Sequence, residues 1–311
     1  MSHPIILVTG ATGVQGRSTI KSLLQLKANV RALVRSQDSN RARALEKSGV
    51  QLAVGEFNDY ESLIKAMSGA SAVFMNVSPS PTDPSAETRH AKNIIAAATQ
   101  PGSTIQTLVY TTTILTGQHD TFPGWETWND FARQYWLDKA ANEESVRQSG
   151  IPNWTILRPP HFTSNYLKPL APFFFPELLS QGILRTALKP GTRSLLIDPD
   201  DLGRFVARAL TEPERFRGSS IDIGAEALTP PQIVAALSKV SGREIKAEYL
   251  SDQEIKELIP KSHVISAQTF FNERSSKLDV QSMKDRWGIH PITFLEFLES
   301  HKEDVLSSFQ T

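Results

Sequence analysis

The chain contains no cysteine. A disulfide scaffold, a thiol nucleophile and a Cys-ligated zinc site are thereby excluded. It also lacks a surplus of either charge. Its 33 Lys and Arg face 33 Asp and Glu, for a formal net charge of zero. Affinity for a phosphate backbone needs a basic excess, so no nucleic-acid partner is expected, although a local basic pocket stays open. Long hydrophobic runs are missing too. The run Ile5–Val8 is too short for a signal segment or a membrane span, and the greasy stretch 171–175 is bounded by Pro172 and Pro176. No membrane partner and a cytoplasmic location are the expectation. The seven histidines include no close pair at metal-ligand spacing, so no metal is expected. There is no GxSxG elbow, no Walker loop and no internal repeat. A homodimer is open as the assembly, since no coiled-coil seam specifies one.

What is present is room for a sizeable core. A chain of 311 residues, 40% of them hydrophobic, allows about two domains at roughly 150 residues each. Apolar strand-length runs are expected at 5–9, 30–34, 51–54, 72–77, 107–111 and 154–158. They alternate with helices at 17–26, 38–47, 60–67, 85–98 and 128–148. The helix at 85–98 is alanine-rich and carries Glu87 near its start; the one at 128–148 is stopped by Gly150. Near-continuous apolar strands separated by helices imply a parallel sheet covered on both faces. After residue 160 the pattern changes. Proline and aromatic residues cluster over 159–176. A strand is expected at 194–197, a helix at 200–210, strands at 219–223 and 245–249 flanking a helix at 231–241, and an amphipathic stretch at 293–306.

The most specific signal is a glycine loop. Gly10, Gly13 and Gly16, with Thr12, Val14 and Gln15 between them, follow the first strand and open the first helix. Gly10 and Gly13 allow a tight turn and close approach to a pyrophosphate, Gly16 lets the helix pack close to the sheet, and helix-start amides point at the phosphate charge. The alternative is a tight turn with no ligand. The fold class is therefore α/β: a Rossmann doubly wound parallel sheet over 1–160, with a smaller α+β substrate-side domain over 161–311 that interleaves with it. Strand two ends in Val34-Arg35-Ser36 rather than in an acid. An acid there would accept from the ribose hydroxyls of NAD(H). Arg35 instead matches a 2′-phosphate in a fork and Ser36 adds a hydroxyl, which favours NADP(H).

Tyr135 and Lys139 form a YxxxK on the helix expected at 128–148, so both share one helix face. Reduction of a carbonyl needs a proton donor beside the hydride donor. A tyrosine does this poorly at its free pKa, and a neighbouring ammonium is expected to lower it. The lysine can also hold the nicotinamide ribose.

With the glycine loop and Val34-Arg35, two further stretches carry a family resemblance. They are Gly55-Glu56-Phe57-Asn58-Asp59 and the run from Gly150 to Pro159, GIPNWTILRP. The chain resembles the short-chain dehydrogenase/reductase superfamily, and within it the atypical NmrA-like branch, well over about residues 4–165 and loosely beyond. Asp200-Asp201-Leu202-Gly203 is similar to a helix start of that family. The resemblance implies an adenine contact for Phe57 and Asn58. It implies a ribose contact for Asn76, with Val77 and Ser78 beside it, and a nicotinamide-end position for Pro160, His161 and Phe162. The superfamily's hydroxyl after strand five falls on Thr113, with Thr112 as runner-up, where it would bond the substrate carbonyl. Family members that use only the lysine, and others that look like redox sensors, keep two readings open.

The aromatic loop 122–128, with Trp125 at its centre, could cap a flat substrate or pack on its own domain. Thr112, Trp125, His161 and Phe162 are the candidate substrate contacts. Together these point to an NADPH-dependent reductase acting on a carbonyl or conjugated alkene of a bulky, aromatic or quinone-like small molecule. The alternative is a non-catalytic NADP(H)-binding sensor acting through a protein partner.

Overall fold

The computed structural model describes residues 4–122, 124–274 and 278–310; His3, and Pro123 of the aromatic loop, lie outside them. The first half of the chain forms β1 (Ile5–Val8), α1 (Val14–Gln25), β2 (Asn29–Val34), α2 (Asn40–Lys47), β3 (Gln51–Val54), α3 (Tyr60–Met67), β4 (Ala70–Met75), α4 (Ala86–Thr99), β5 (Thr107–Thr111), α5 (Asp130–Arg147) and β6 (Asn153–Arg158). The later strands are β7 (His161–Phe162), β8 (Ile183–Thr186), β9 (Ser194–Ile197), β10 (Ser219–Asp222), β11 (Glu226–Leu228) and β12 (Lys246–Tyr249).

Seven strands form one parallel sheet in the order β10-β6-β5-β4-β1-β2-β3. The chain runs outward from β1 in one direction and from β4 in the other, and with right-handed crossovers that reversal places helices on both faces. Central strands are apolar on both sides: all five residues of β5 are buried. The seventh strand corrects the sequence reading. The strand expected at 219–223 on the substrate side is β10, which pairs parallel with β6, Ser219 opposite Thr155 and Asp222 opposite Arg158. A parallel neighbour needs a crossover of a dozen or more residues. The helix Pro199–Thr211 supplies it.

By contact the chain divides into two compact units. One comprises Met1–Gly117, Tyr135–Arg158 and Asp200–Asp222; the other Gln118–Gln134, Pro159–Pro199 and Ile223–Thr311. The first is built on the large sheet, around a core that includes Leu7, Val73, Met75, Leu108, Tyr110 and Ile156. The second holds a three-stranded sheet, β11-β9-β7, and a two-stranded one, β12-β8. Its core gathers Leu178, Leu196, Leu237, Phe294 and Phe297, with Tyr166 and Phe175 stacked at 4.9 Å. Among the described residues no helix is long and apolar enough to cross a membrane.

Candidate active site

Because the large sheet is parallel, the loops after β1, β2, β4 and β5 leave from one edge. The strand order reverses between β1 and β4, the place where open α/β sheets bind ligands. Thr9 ties the two strand ends there. Its hydroxyl donates to the carbonyl of Phe74 at 3.0 Å and accepts from the amide of Asn76 at 2.9 Å. Gly10 sits at φ +59°, and a Cβ on it would lie 2.9 Å from Asn76 Nδ2. A Cβ on Gly16 would lie 2.3 Å from the carbonyl oxygen of Gly10. Only glycine lets α1 start this close to the loop. The N-cap of α1 is Gly13, with no side-chain cap and no acid in the first turn. In α2 and α3, by contrast, Ser39 and Asp59 accept from first-turn amides. The first-turn N–H groups of α1 are therefore left for an external acceptor, as a phosphate site requires.

Arg35 follows β2, is exposed, and has no ion pair among the described residues. The hydroxyl of Ser36 accepts from the amide of Asp38 and keeps its own proton to give. Both fit a 2′-phosphate. Phe57 is half-buried against the main core and lies 5.2 Å from the ring of His90, while Asn58 accepts from Arg89 Nε at 3.0 Å. These two residues tie the loop after β3 to α4.

Three consecutive threonines at the end of β5 serve three partners. Thr111 donates to Gln15 Oε1 at 2.7 Å and so joins β5 to the glycine-loop helix. Thr112, buried, donates to Glu143 Oε1 at 2.8 Å. That carboxylate also receives Arg158, at 2.8 and 2.5 Å, and Arg147, at 2.6 Å. Thr113 is hydrogen-bonded to Tyr135. The hydroxyl of Thr112 thus serves the joint between β5, α5 and β6.

On α5, Lys139 Nζ lies 5.5 Å from the centre of the Tyr135 ring. Thr113, Tyr135 and Lys139 are therefore together, as their spacing suggested. A fourth member was not expected. Lys139 is 5% exposed, and its ammonium donates at 2.6 Å to Oε1 of Glu87, which is fully buried in the first turn of α4. Nothing local in the sequence links these two, 52 residues apart.

The electrostatics differ from the sequence reading in one respect. Burial raises the Tyr135 phenol above its ordinary value; Lys139 pulls it down, Glu87 pushes it up and Thr113 lowers it, and the net direction is up. The lowering expected from Lys139 alone is not obtained, because Glu87 offsets the ammonium and a desolvated phenol resists losing its proton. Burial lowers Lys139, but Tyr110, Glu87 and Tyr135 outweigh it and hold the ammonium above its usual range. Burial raises Glu87 against the pull of Lys139.

Four candidates fall in the second unit. Trp125 is packed among His119, Phe122 and Trp128, with the Arg133 guanidinium 5.6 Å from its ring. His161 is ringed by Tyr166, Phe174 and Phe175 at 5.2–5.8 Å, and burial pushes its pKa down to about 4. Its Nδ1 is 3.4 Å from Asn165 Nδ2, and its buried Nε2 has no hydrogen-bond partner among the described residues. Phe162 is half-buried and Pro160 buried. Among the described residues no group of three or more His, Asp or Glu could hold a metal.

A glycine cradle at the switch point of a parallel sheet stands beside a paired lysine on α5. A model of the NmrA-like family matches residues 2–298. The chain belongs to the NmrA-like family. It is similar to (4-alkanoyl-5-oxo-2,5-dihydrofuran-3-yl)methyl phosphate reductase of Streptomyces griseus subsp. griseus, with 32% identity over 246 residues, covering 79% of this chain and 77% of the relative. In fold this NmrA-like chain resembles an NADPH-dependent quinone oxidoreductase from Escherichia coli solved with NADPH. The TM-score is 0.74 at 22% identity, over 95% of this chain and 99% of the other. It equally resembles NmrA, a negative transcriptional regulator, solved with NADP, at a TM-score of 0.74 and 21% identity over 97% and 98% of the two chains.

Proposed function

We propose that this NmrA-like protein is an NADPH-dependent reductase of the short-chain type. Its substrate would be a bulky, aromatic or quinone-like small molecule bearing a carbonyl or conjugated alkene. The observation that carries the reading is the grouping of Thr113, Tyr135 and Lys139 at the sheet edge that holds the glycine cradle. The reductase relative and the fold shared with a quinone oxidoreductase support it.

Residues Gly10–Gly16 would take the pyrophosphate, Arg35 and Ser36 the 2′-phosphate, Phe57 and Asn58 the adenine end, and Asn76 and Lys139 the riboses, with Pro160 at the nicotinamide end. NADPH, when bound, supplies the hydride. Tyr135 supplies the proton. Its raised pKa keeps the phenol protonated at neutral pH, which suits the reductive direction. Thr113 donates to that hydroxyl and would give its single proton to the substrate oxygen only in exchange for this bond. His161 and Phe162 are the proposed substrate contacts. Trp125 enters only as wall, since its ring already packs within its own cluster.

The test is NADPH oxidation against quinones, aromatic ketones and enones, with Tyr135→Phe and Lys139→Ala alongside. Tyr135→Phe is expected to lose about a hundredfold or more in turnover, the usual contribution of a placed proton donor. Full turnover in that variant would remove the tyrosine from the mechanism. The second reading, a sensor, is favoured by the likeness to the NADP-bound regulator. Its mark would be tight NADP(H) binding with no turnover on any of these substrates.

A further inference from the structure

The buried Glu87 is not required by the reductase mechanism as written, yet it makes the closest contact of Lys139. We propose that Glu87 is the positioning residue for Lys139: its carboxylate fixes the ammonium next to Tyr135, with two N–H donors left for the cofactor ribose. The proposal rests on the reductase reading and extends it to a residue on another helix.

Four observations support it. First, among the described residues Glu87 Oε1 is the one hydrogen-bond acceptor of Lys139 Nζ, and an ammonium has three N–H donors. Second, the pair is shut away from water, at 0% exposure for Glu87 and 5% for Lys139. A buried ion pair is weak evidence for stability, because apolar residues of similar volume often do as well. Its presence here asks for another reason. Third, Glu87 lies in the first turn of α4, where the helix dipole favours a carboxylate. Fourth, Thr88 on the same turn donates to Asp138 Oδ1 at 2.7 Å, so α4 grips α5 at two adjacent points. This second tie fixes the α4 turn against the segment of α5 that carries Tyr135 and Lys139.

The charged and titratable groups around the pair come from three elements. Glu87 comes from α4, Tyr110 from β5, and Tyr135, Asp138 and Lys139 from α5. Tyr110 is fully buried, and burial raises its phenol well above the usual range, so it stays neutral. Glu87 is thus the anion that balances Lys139. Without it, the ammonium loses the anion it is hydrogen-bonded to and gives up its proton at lower pH.

The test follows two readouts across pH: NADPH affinity, from quenching of tryptophan fluorescence, and turnover on a quinone. It uses wild type, Glu87→Gln, Glu87→Asp and Lys139→Met. Circular dichroism confirms that each variant is folded. Glu87→Gln is expected to lose at least about tenfold in turnover at neutral pH, part of what a placed proton donor contributes. Its affinity and turnover should both decline on the alkaline side about one unit or more earlier than in wild type, the size of shift an opposite charge at this range produces. Glu87→Asp, which keeps the charge and retracts it by one methylene, should shift in the same direction by less, and it serves as the decisive variant if Glu87→Gln does not fold. Wild-type pH profiles for both readouts in the folded Glu87 variant overturn the proposal. Wild-type turnover in Lys139→Met would sink the catalytic reading instead. The affinity profile of the Glu87 variant would still decide the coupling, because it does not depend on chemistry.

Discussion

In the proposed cofactor site, the choice between two cofactors would rest on the one exposed guanidinium of Arg35. A charge-assisted hydrogen bond contributes about 1.5–3 kcal/mol, or roughly ten- to a hundredfold in affinity. Arg35→Ala is therefore expected to weaken NADPH binding by that factor and to leave NADH binding nearly unchanged. Dissociation constants for the two cofactors, measured side by side, check this; an equal loss for both would show that Arg35 does not read the 2′-phosphate. His161 makes a different prediction, about acid. Its pKa is depressed to about 4 in the fold from 6.5, because burial disfavours the imidazolium. Between those two values the unfolded chain binds the proton and the folded one does not, so this group makes stability fall as pH drops through that window and has no effect above it. Melting temperatures of wild type and His161→Phe at pH 7 and pH 5 should show a smaller acid loss in the variant. Equal losses would mean that His161 stays accessible to protons in the fold.

At the scale of elements, three threonines at and just past the end of β5 look alike in sequence and act differently in place. Thr111 is the last residue of the strand and Thr112 and Thr113 follow it in the loop, and each meets a different neighbour: Gln15, Glu143 or Tyr135. Thr112→Val removes a donor from a carboxylate that still has two arginines, so a loss of about 1 kcal/mol is expected. That corresponds to roughly 1–2 °C in melting temperature, with turnover kept. Thr113→Val is expected to do the reverse, cutting turnover with little change in melting. If Thr112→Val instead raised the KM for substrate, its role would lie at the substrate after all. The six strands from β1 to β6 were legible because each is an apolar run closed by a glycine, proline or polar turn. The YxxxK was legible because a helix brings positions four apart to one face. Glu87 was not, since a lone acid at a helix start reads as an ordinary capping charge. Its partner becomes visible only when α4 and α5 are set side by side. The place of β10 in the large sheet was missed for a related reason. Strand order in a parallel sheet is decided by crossovers, and the local pattern at 219–223 says only that a strand is there.

For the whole molecule, the two units are drawn from six alternating stretches of chain, so neither is a contiguous piece that could be released by one cut. The chain enters and leaves the large-sheet unit more than once, and unfolding either unit loosens chain ends held in the other. One cooperative thermal transition is expected rather than two. The cofactor reading adds a direction to it. A ligand that binds only the folded state at a hundred times its dissociation constant adds about 2.7 kcal/mol. For a chain of this size that amounts to roughly 4 °C in melting temperature. NADPH should give that shift in a single transition, and NADH at the same concentration a smaller one, because the Arg35 contact is absent. If melting splits in two and NADPH moves only one step, the units unfold separately and the step that moves identifies the unit that holds the dinucleotide. If neither cofactor moves any transition, the glycine cradle at Gly10–Gly16 is a tight turn and both readings of function fail together.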